Sequence, residues 1–177
     1  MKNNPWQTVS TRRIYDNPWI GLREDQVINP SGGDGIYGVV EFKNQAIAIL
    51  PVDDHGNTWL VGQYRYPLGR YSWEVPMGGH PVGEDPEAGA LRELKEETGL
   101  IAGKVTEVIR VDLSNCVSDE IGIGYLAEDL VQGDAEFDET EDLQIRKLPF
   151  SEAVTMALDG EITDCFSVAL LLKLTAT

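Results

Sequence analysis

The chain has 177 residues, 42% hydrophobic and 25% charged, which suits one well-cored domain of ordinary composition with at most a small appended module. Its formal charge of −16 argues against nucleic acid, because phosphate backbones are bound by lysine and arginine that displace counterions. The same charge repels small polyanions unless metal ions intervene.

In chain order, residues 6–14 (WQTVSTRRI) alternate as a strand does, and Tyr15-Asp16-Asn17-Pro18 forms a turn cluster. Residues 19–28 read as the returning strand, PSGGDG at 30–35 as a turn, and 36–42 (IYGVVEF) as a third strand. Residues 1–43 are therefore expected to form a small β module beside a main domain at 44–177. In the main domain, the apolar run AIAILPV at 46–52 suits a buried strand, and TWLVGQYRY at 58–66 returns from the DDHGN turn. Residues 71–76 lead into a glycine loop at Gly78, followed by a helix. Beyond it come strands at about 104–112 and 120–127, an acidic segment GDAEFDETED at 133–142, and a strand at 143–148. Ser151 is expected to cap a helix through Leu158, with Gly160 ending it, and Asp164 to cap the final helix SVALLLKL. The pattern is mixed α+β, a sheet held between helices. Cys116 and Cys165 read as buried or idle thiols; the start MKNNPWQ carries no basic-then-apolar signal and no run approaches a membrane span, so the expected compartment is the cytoplasm.

The stretch GGHPVGEDPEAGALRELKEETGL, Gly78 to Leu100, carries the chemistry. Asp85 is a good N-cap, Pro86 suits the first helical position, and Gly99 can end the helix in the left-handed conformation. On a helical wheel Ala88, Leu91, Leu94 and Thr98 share a core face, while Arg92, Glu93, Glu96 and Glu97 gather on the other. Like charges at such spacings repel, and a hard divalent cation relieves them; Mg²⁺ takes oxygen ligands and is shared between a few carboxylates and substrate phosphates.

The spacing from Gly78 through Glu84, Arg92-Glu93-Leu94, Glu96-Glu97 and Gly99-Leu100 fills every specified position of GX5EX7REUXEEXGU, with U a bulky aliphatic residue. It resembles the Nudix box. With Gln63-Tyr64-Arg65-Tyr66-Pro67 and Ser72-Trp73-Glu74-Val75-Pro76, the chain is similar to the ADP-ribose and nucleoside diphosphate sugar pyrophosphatase branch of the Nudix hydrolases over residues 6–172. The resemblance implies a Nudix α/β/α sandwich with a mixed sheet, plus an N-terminal β module often exchanged across a homodimer. It also implies Mg²⁺-dependent (or Mn²⁺-dependent) hydrolysis of nucleotide sugars to a nucleoside monophosphate and a sugar phosphate. Glu93 and Glu97 would be the principal metal ligands, Glu96 would be shared, and the Met77 carbonyl would add a further ligand. Arg92 is placed to orient those glutamates, and Glu84 to partner it or stand in the outer shell.

A general base is expected from the acidic loop at 138–143, first Glu139 and second Glu141, with Asp119 and Glu120 the weaker alternative. Arg65 fits a bidentate diphosphate contact, set against a plain surface ion pair. Tyr15 and Trp19 flank a turn where either can stack on a base or pack as a buried aromatic, and Arg23 reads as a strand-edge charge, with a sugar or phosphate contact the alternative. Trp59 and Trp73 read as core, and His80 as a solvent-facing loop histidine, with substrate contact the alternative. Two departures from classical ADP-ribose enzymes, Tyr37-Gly38 for an Arg-Glu pair and Pro81 for a box-loop glutamate, favour a broader nucleotide-sugar range that includes GDP-mannose. The alternatives are a Nudix hydrolase of another diphosphate, and a non-catalytic sensor on the same fold.

Overall fold

The computed structural model describes residues 3–133 and 143–176. Three strands open the chain, β1 (Gln7–Asp16), β2 (Ile20–Ile28) and β3 (Asp34–Phe42), and form an antiparallel sheet of their own in that order. All ten residues of β1 are exposed. Ion pairs stitch this sheet, Arg12 to Glu24 on one face and Arg23 to both Asp25 and Glu41 on the other.

The main body holds β4 (Asn44–Pro51), β5 (Asn57–Arg65), β6 (Arg70–Glu74), β7 (Met77–Pro81), β8 (Leu100–Asp112), β9 (Ile121–Gln132) and β10 (Gln144–Pro149). They make two sheets, ordered β7-β4-β9-β8 and β10-β5-β6. The first is mixed, since β4 runs parallel to β9 while β4–β7 and β8–β9 are antiparallel. Strand alternation sends the side chains of β4 to opposite faces. Ile47 and Ile49 pack with Ala90 and Leu94 of the helix α1 (Pro86–Thr98), together with Leu100, Ile123 and Tyr125. Ala48 and Leu50 pack on the other side with Met156 of α2 (Phe150–Leu158) and Phe166, Leu170 and Leu171 of α3 (Cys165–Leu174). The result is the expected α+β sandwich. Each fully buried aliphatic side chain contributes about 1.5–3 kcal/mol by leaving water, so Leu94, fully buried, is a position where truncation to alanine costs about 2–5 kcal/mol.

Four local expectations are revised. Residues 77–81 are not a loop: Gly78, Gly79 and His80 pair with Ile47, Ala46 and Gln45, so the glycines sit in an edge strand. Ser151 does not cap α2, which starts one residue earlier behind Pro149, a residue without a side-chain cap. The strands after the box are longer than expected, because their pairing continues to Leu100 and Gln132. Cys116 and Cys165 are free and exposed rather than buried. Elsewhere Asp164 caps α3 as expected, its Oδ2 accepting from the Ser167 amide at 2.7 Å. Among the described residues no helix is long and apolar enough to cross a membrane.

Candidate active site

The site is built where β7 lies against α1. Asp85 caps the helix by accepting from the Glu87 amide, Pro86 opens it, and Gly99 closes it with φ +72°. The buried face of α1 is not the one the wheel suggests. Gly89, Ala90, Glu93, Leu94, Glu97 and Thr98 are buried, while Ala88 is exposed and Leu91 only half-buried. Docking against β4 and β7 turns Glu93 and Glu97 inward, which a hydrophobic wheel cannot anticipate for charged residues.

Each carboxylate is held. Glu97, 1% exposed, accepts from the Met77 amide at 3.0 Å through Oε2. Glu93 packs its carboxyl into the space above Gly78, where any Cβ would overlap it. Arg92 donates to Glu93 Oε1 at 2.6 Å, to Glu96 Oε2 at 2.7 Å and to the Gly79 carbonyl at 3.3 Å. Burial works against the Arg92 charge, but Glu93 and Glu96 more than offset it and hold its pKa above the ordinary value. Glu84 stands with Arg92, Asn44 and His80 around a hollow of about 450 Å³.

Beyond β7 a cleft of about 300 Å³ runs between the two parts of the chain, lined by Trp19 and Phe42 on one side and Arg65, Met77, Gly78 and Glu120 on the other. A second cleft of about 690 Å³ shares Arg65 and Glu120 and extends to Arg70, Ser114 and Asp164. Arg65 grips buried Glu74 with Nε 3.0 Å from both carboxylate oxygens and a further bond from Nη2. Those bonds, with Glu97 and Asp164 nearby, raise its pKa and fix its charge at the junction of the clefts. Burial, Asp164 and Asp119 push the Glu120 carboxyl above the ordinary range.

Residues 6–40 match the family model described as nucleoside diphosphate sugar hydrolase N-terminal domain, and residues 42–164 match the NUDIX domain. The chain belongs to the Nudix family. An ADP-ribose pyrophosphatase of Mycobacterium tuberculosis is 37% identical over 172 residues, 96% of this chain and 83% of its own. One from Bacillus subtilis is 34% identical over 166 residues, 93% of this chain and 89% of its own. In fold, the chain is similar to a crystal structure of an ADP compounds hydrolase, with a TM-score of 0.87 at 19% identity over 99% of this chain and 95% of that one.

Members of the Nudix family generally need a divalent metal. Among the described residues no three acidic, histidine or cysteine side chains already converge as a cage. The donor set nonetheless fits a hard cation: two buried glutamates, a half-buried third, and a glycine cradle that leaves room at the Glu93 carboxyl. Arg92 currently neutralises Glu93 and Glu96, the role an entering cation would share.

The other expected residues divide. Trp19, 69% exposed, lines the first cleft, whereas Tyr15 lies on exposed β1, its hydroxyl accepting from Asn17 at 3.4 Å, and is not brought to the cleft. Arg23 is absorbed by its ion pairs with Asp25 and Glu41. Asp119 accepts from the Phe42 amide at 2.9 Å and so fastens the segment before β9 to the N-terminal sheet. Trp59 is buried and Trp73 half-buried against the core. Glu139 and Glu141 fall outside the described residues. Sequence reasoning missed Glu74 as the partner of Arg65; the strand register sets Arg65 opposite Arg70 and Glu74 opposite Val61, so only their common face relates them. It also placed His80 in solvent, where the structure buries it.

Proposed function

We infer that this Nudix-family chain hydrolyses the diphosphate of nucleoside diphosphate sugars, of the ADP-ribose, ADP-glucose and GDP-mannose type, with Mg²⁺ held by Glu93, Glu97 and the Met77 carbonyl and shared by Glu96. The observation that carries this reading is the complete glutamate set on α1, two of them buried directly behind Met77 and Gly78, residues that line the same cleft as Arg65. A bound divalent ion neutralises the phosphates and lowers the pKa of the attacking water. Arg65, pre-oriented by Glu74, contacts the diphosphate through the guanidinium edge it still has free to donate, and Trp19 covers the base from the rim of the first cleft. Arg92 keeps the glutamates apart and aimed, with Glu84 as an outer group. The general base is assigned to Glu139, with Glu141 second. Glu120 is the further candidate, favoured by its place in both clefts beside Arg65.

A homodimer completes the reading. A strand with Val9, Ile14 and Tyr15 exposed, at 66%, 45% and 53%, is an open edge that proteins cover or blunt. A second copy seated on the N-terminal β module at residues 1–43 covers it. The free Cys116 and Cys165 suit a reducing compartment such as the cytoplasm.

The test is a phosphate-release screen with Mg²⁺, coupled to a phosphatase that attacks products but not intact nucleotide sugars. ADP-ribose, ADP-glucose, GDP-mannose, UDP-glucose, NADH and a diadenosine polyphosphate are run side by side. Turnover of nucleotide sugars supports the assignment and ranks their bases and sugars. Activity confined to the dinucleotides overturns the substrate class, and silence throughout overturns catalysis.

A further inference from the structure

We propose that His80 and Gly89 act as a spacer that sets the gap between β7 and α1 and thereby positions the metal-binding glutamates. The proposal rests on the functional reading above. Along α1, Gly89, Glu93 and Glu97 follow at helical spacing of four and point at β7 one above the other. Along β7, His80 and Gly78 share a face, because alternate strand residues do. The two rows are complementary in size. At Gly89 the helix is smallest, and the His80 ring fills the space: a Cβ on Gly89 would fall 2.6 Å from Cγ and 3.0 Å from Cε1, and would overlap Nδ1. At Glu93 the helix is large, and Gly78 gives way. The row ends with Glu97 accepting from the Met77 amide. Small meets large at one level and large meets small at the next, so a change at the first level shifts the second.

His80 does this by volume. It is 4% exposed, and neither ring nitrogen has a hydrogen-bond partner among the described residues. Gln45, directly opposite on β4, also leaves its Oε1 buried and unpartnered. A buried polar group without a partner costs free energy that an aliphatic side chain of the same shape avoids. The contact the geometry shows is the bulk of the ring against Gly89. His80 is a positioning residue, acting through β7.

The experiment measures Mn²⁺ binding to the substrate-free protein by the signal of free Mn²⁺, beside the melting temperature of each variant. Gly89→Ala adds helix propensity yet drives a methyl into the ring, so it should weaken Mn²⁺ about tenfold while the fold is kept. His80→Ala should weaken it several-fold by leaving β7 unsupported. Combining Gly89→Ala with His80→Ala should recover most of the loss, since the new methyl occupies vacated space. His80→Leu, similar in volume and without nitrogens, should bind within about twofold of the parent. KM for nucleotide sugar at saturating metal should stay unchanged in all four, a split that general loosening of the fold would not give.

The proposal is overturned if Gly89→Ala binds Mn²⁺ like the parent, if the double variant shows no recovery, or if His80→Leu loses as much as His80→Ala. Should Gly89→Ala fail to fold, the His80→Ala and His80→Leu pair decides alone. A parent that binds no Mn²⁺ is a different result and strikes the functional reading itself.

Discussion

The two halves of the molecule handle exposed surface in opposite ways. In the β7–α1 half every unusual residue has a reason in its neighbour: Gly78 admits Glu93, Gly89 admits His80, and Glu97 is tied to the Met77 amide. In the N-terminal sheet β1 is exposed along its whole length and carries apolar side chains that touch no core. The first half is complete within one chain. The second is held to the body by a few backbone and side-chain bonds, such as Val40 to the Val117 carbonyl and Tyr37 to the Cys116 carbonyl. On the proposed reading, the metal-binding glutamates belong to the closely packed half, while the N-terminal sheet supplies Trp19 to the cleft and an open edge.

The comparison can be broken at its strongest point first. Glu97→Gln removes a buried charge at the end of the glutamate row and should lower kcat/KM by on the order of 10²–10³-fold, read in the phosphate-release assay. A smaller loss would mean that the metal is held elsewhere. Gly78→Ala pushes the Glu93 carboxyl out of its cradle and should cost about 100-fold in kcat with the melting temperature little changed. Unaltered activity would show that the close approach has no catalytic meaning. In the other half, Val9→Asp with Ile14→Asp should turn dimer into monomer in light scattering, raising the dissociation constant by at least about tenfold. If the parent is already monomeric at micromolar concentration, the contrast between the halves loses its explanation.

The smallest effect is a pH dependence. Burial raises the folded-state pKa of Glu120, with Asp164 and Asp119 adding to it. The protonated form is then the one the fold prefers: its contribution is complete below the ordinary carboxylate pKa and is lost as pH rises through the raised value. Glu120→Gln should therefore lift the melting temperature slightly at pH 7, by no more than about 2 °C since the group is partly screened by solvent, and leave it unchanged near pH 4. A drop at pH 7 would show that the ionised carboxylate has a favourable partner.

The sequence showed the site more clearly than it showed the surfaces around it. Box spacing located Glu93, Glu96, Glu97 and Arg92 because one helix fixes their relation. It could not show that Glu93 and Glu97 face inward, because a wheel sorts residues by polarity and these are charged residues that the structure buries. Strand β7 was hidden by its two glycines, and with it the burial of His80. Alternation in WQTVSTRRI identified a strand correctly, yet period two says which residues share a face and nothing about whether that face is covered. Glu74 was missed because its partner, Arg65, lies in the neighbouring strand of a different motif.

The most direct test of the central claim follows the products of ADP-ribose after the protein has been stripped with chelator and Mg²⁺ restored. The account predicts AMP and ribose 5-phosphate in equal amounts, formed only after Mg²⁺ is returned and formed far more slowly by Glu97→Gln. Hydrolysis that proceeds without a divalent ion, or that is indifferent to Glu97→Gln, would contradict it.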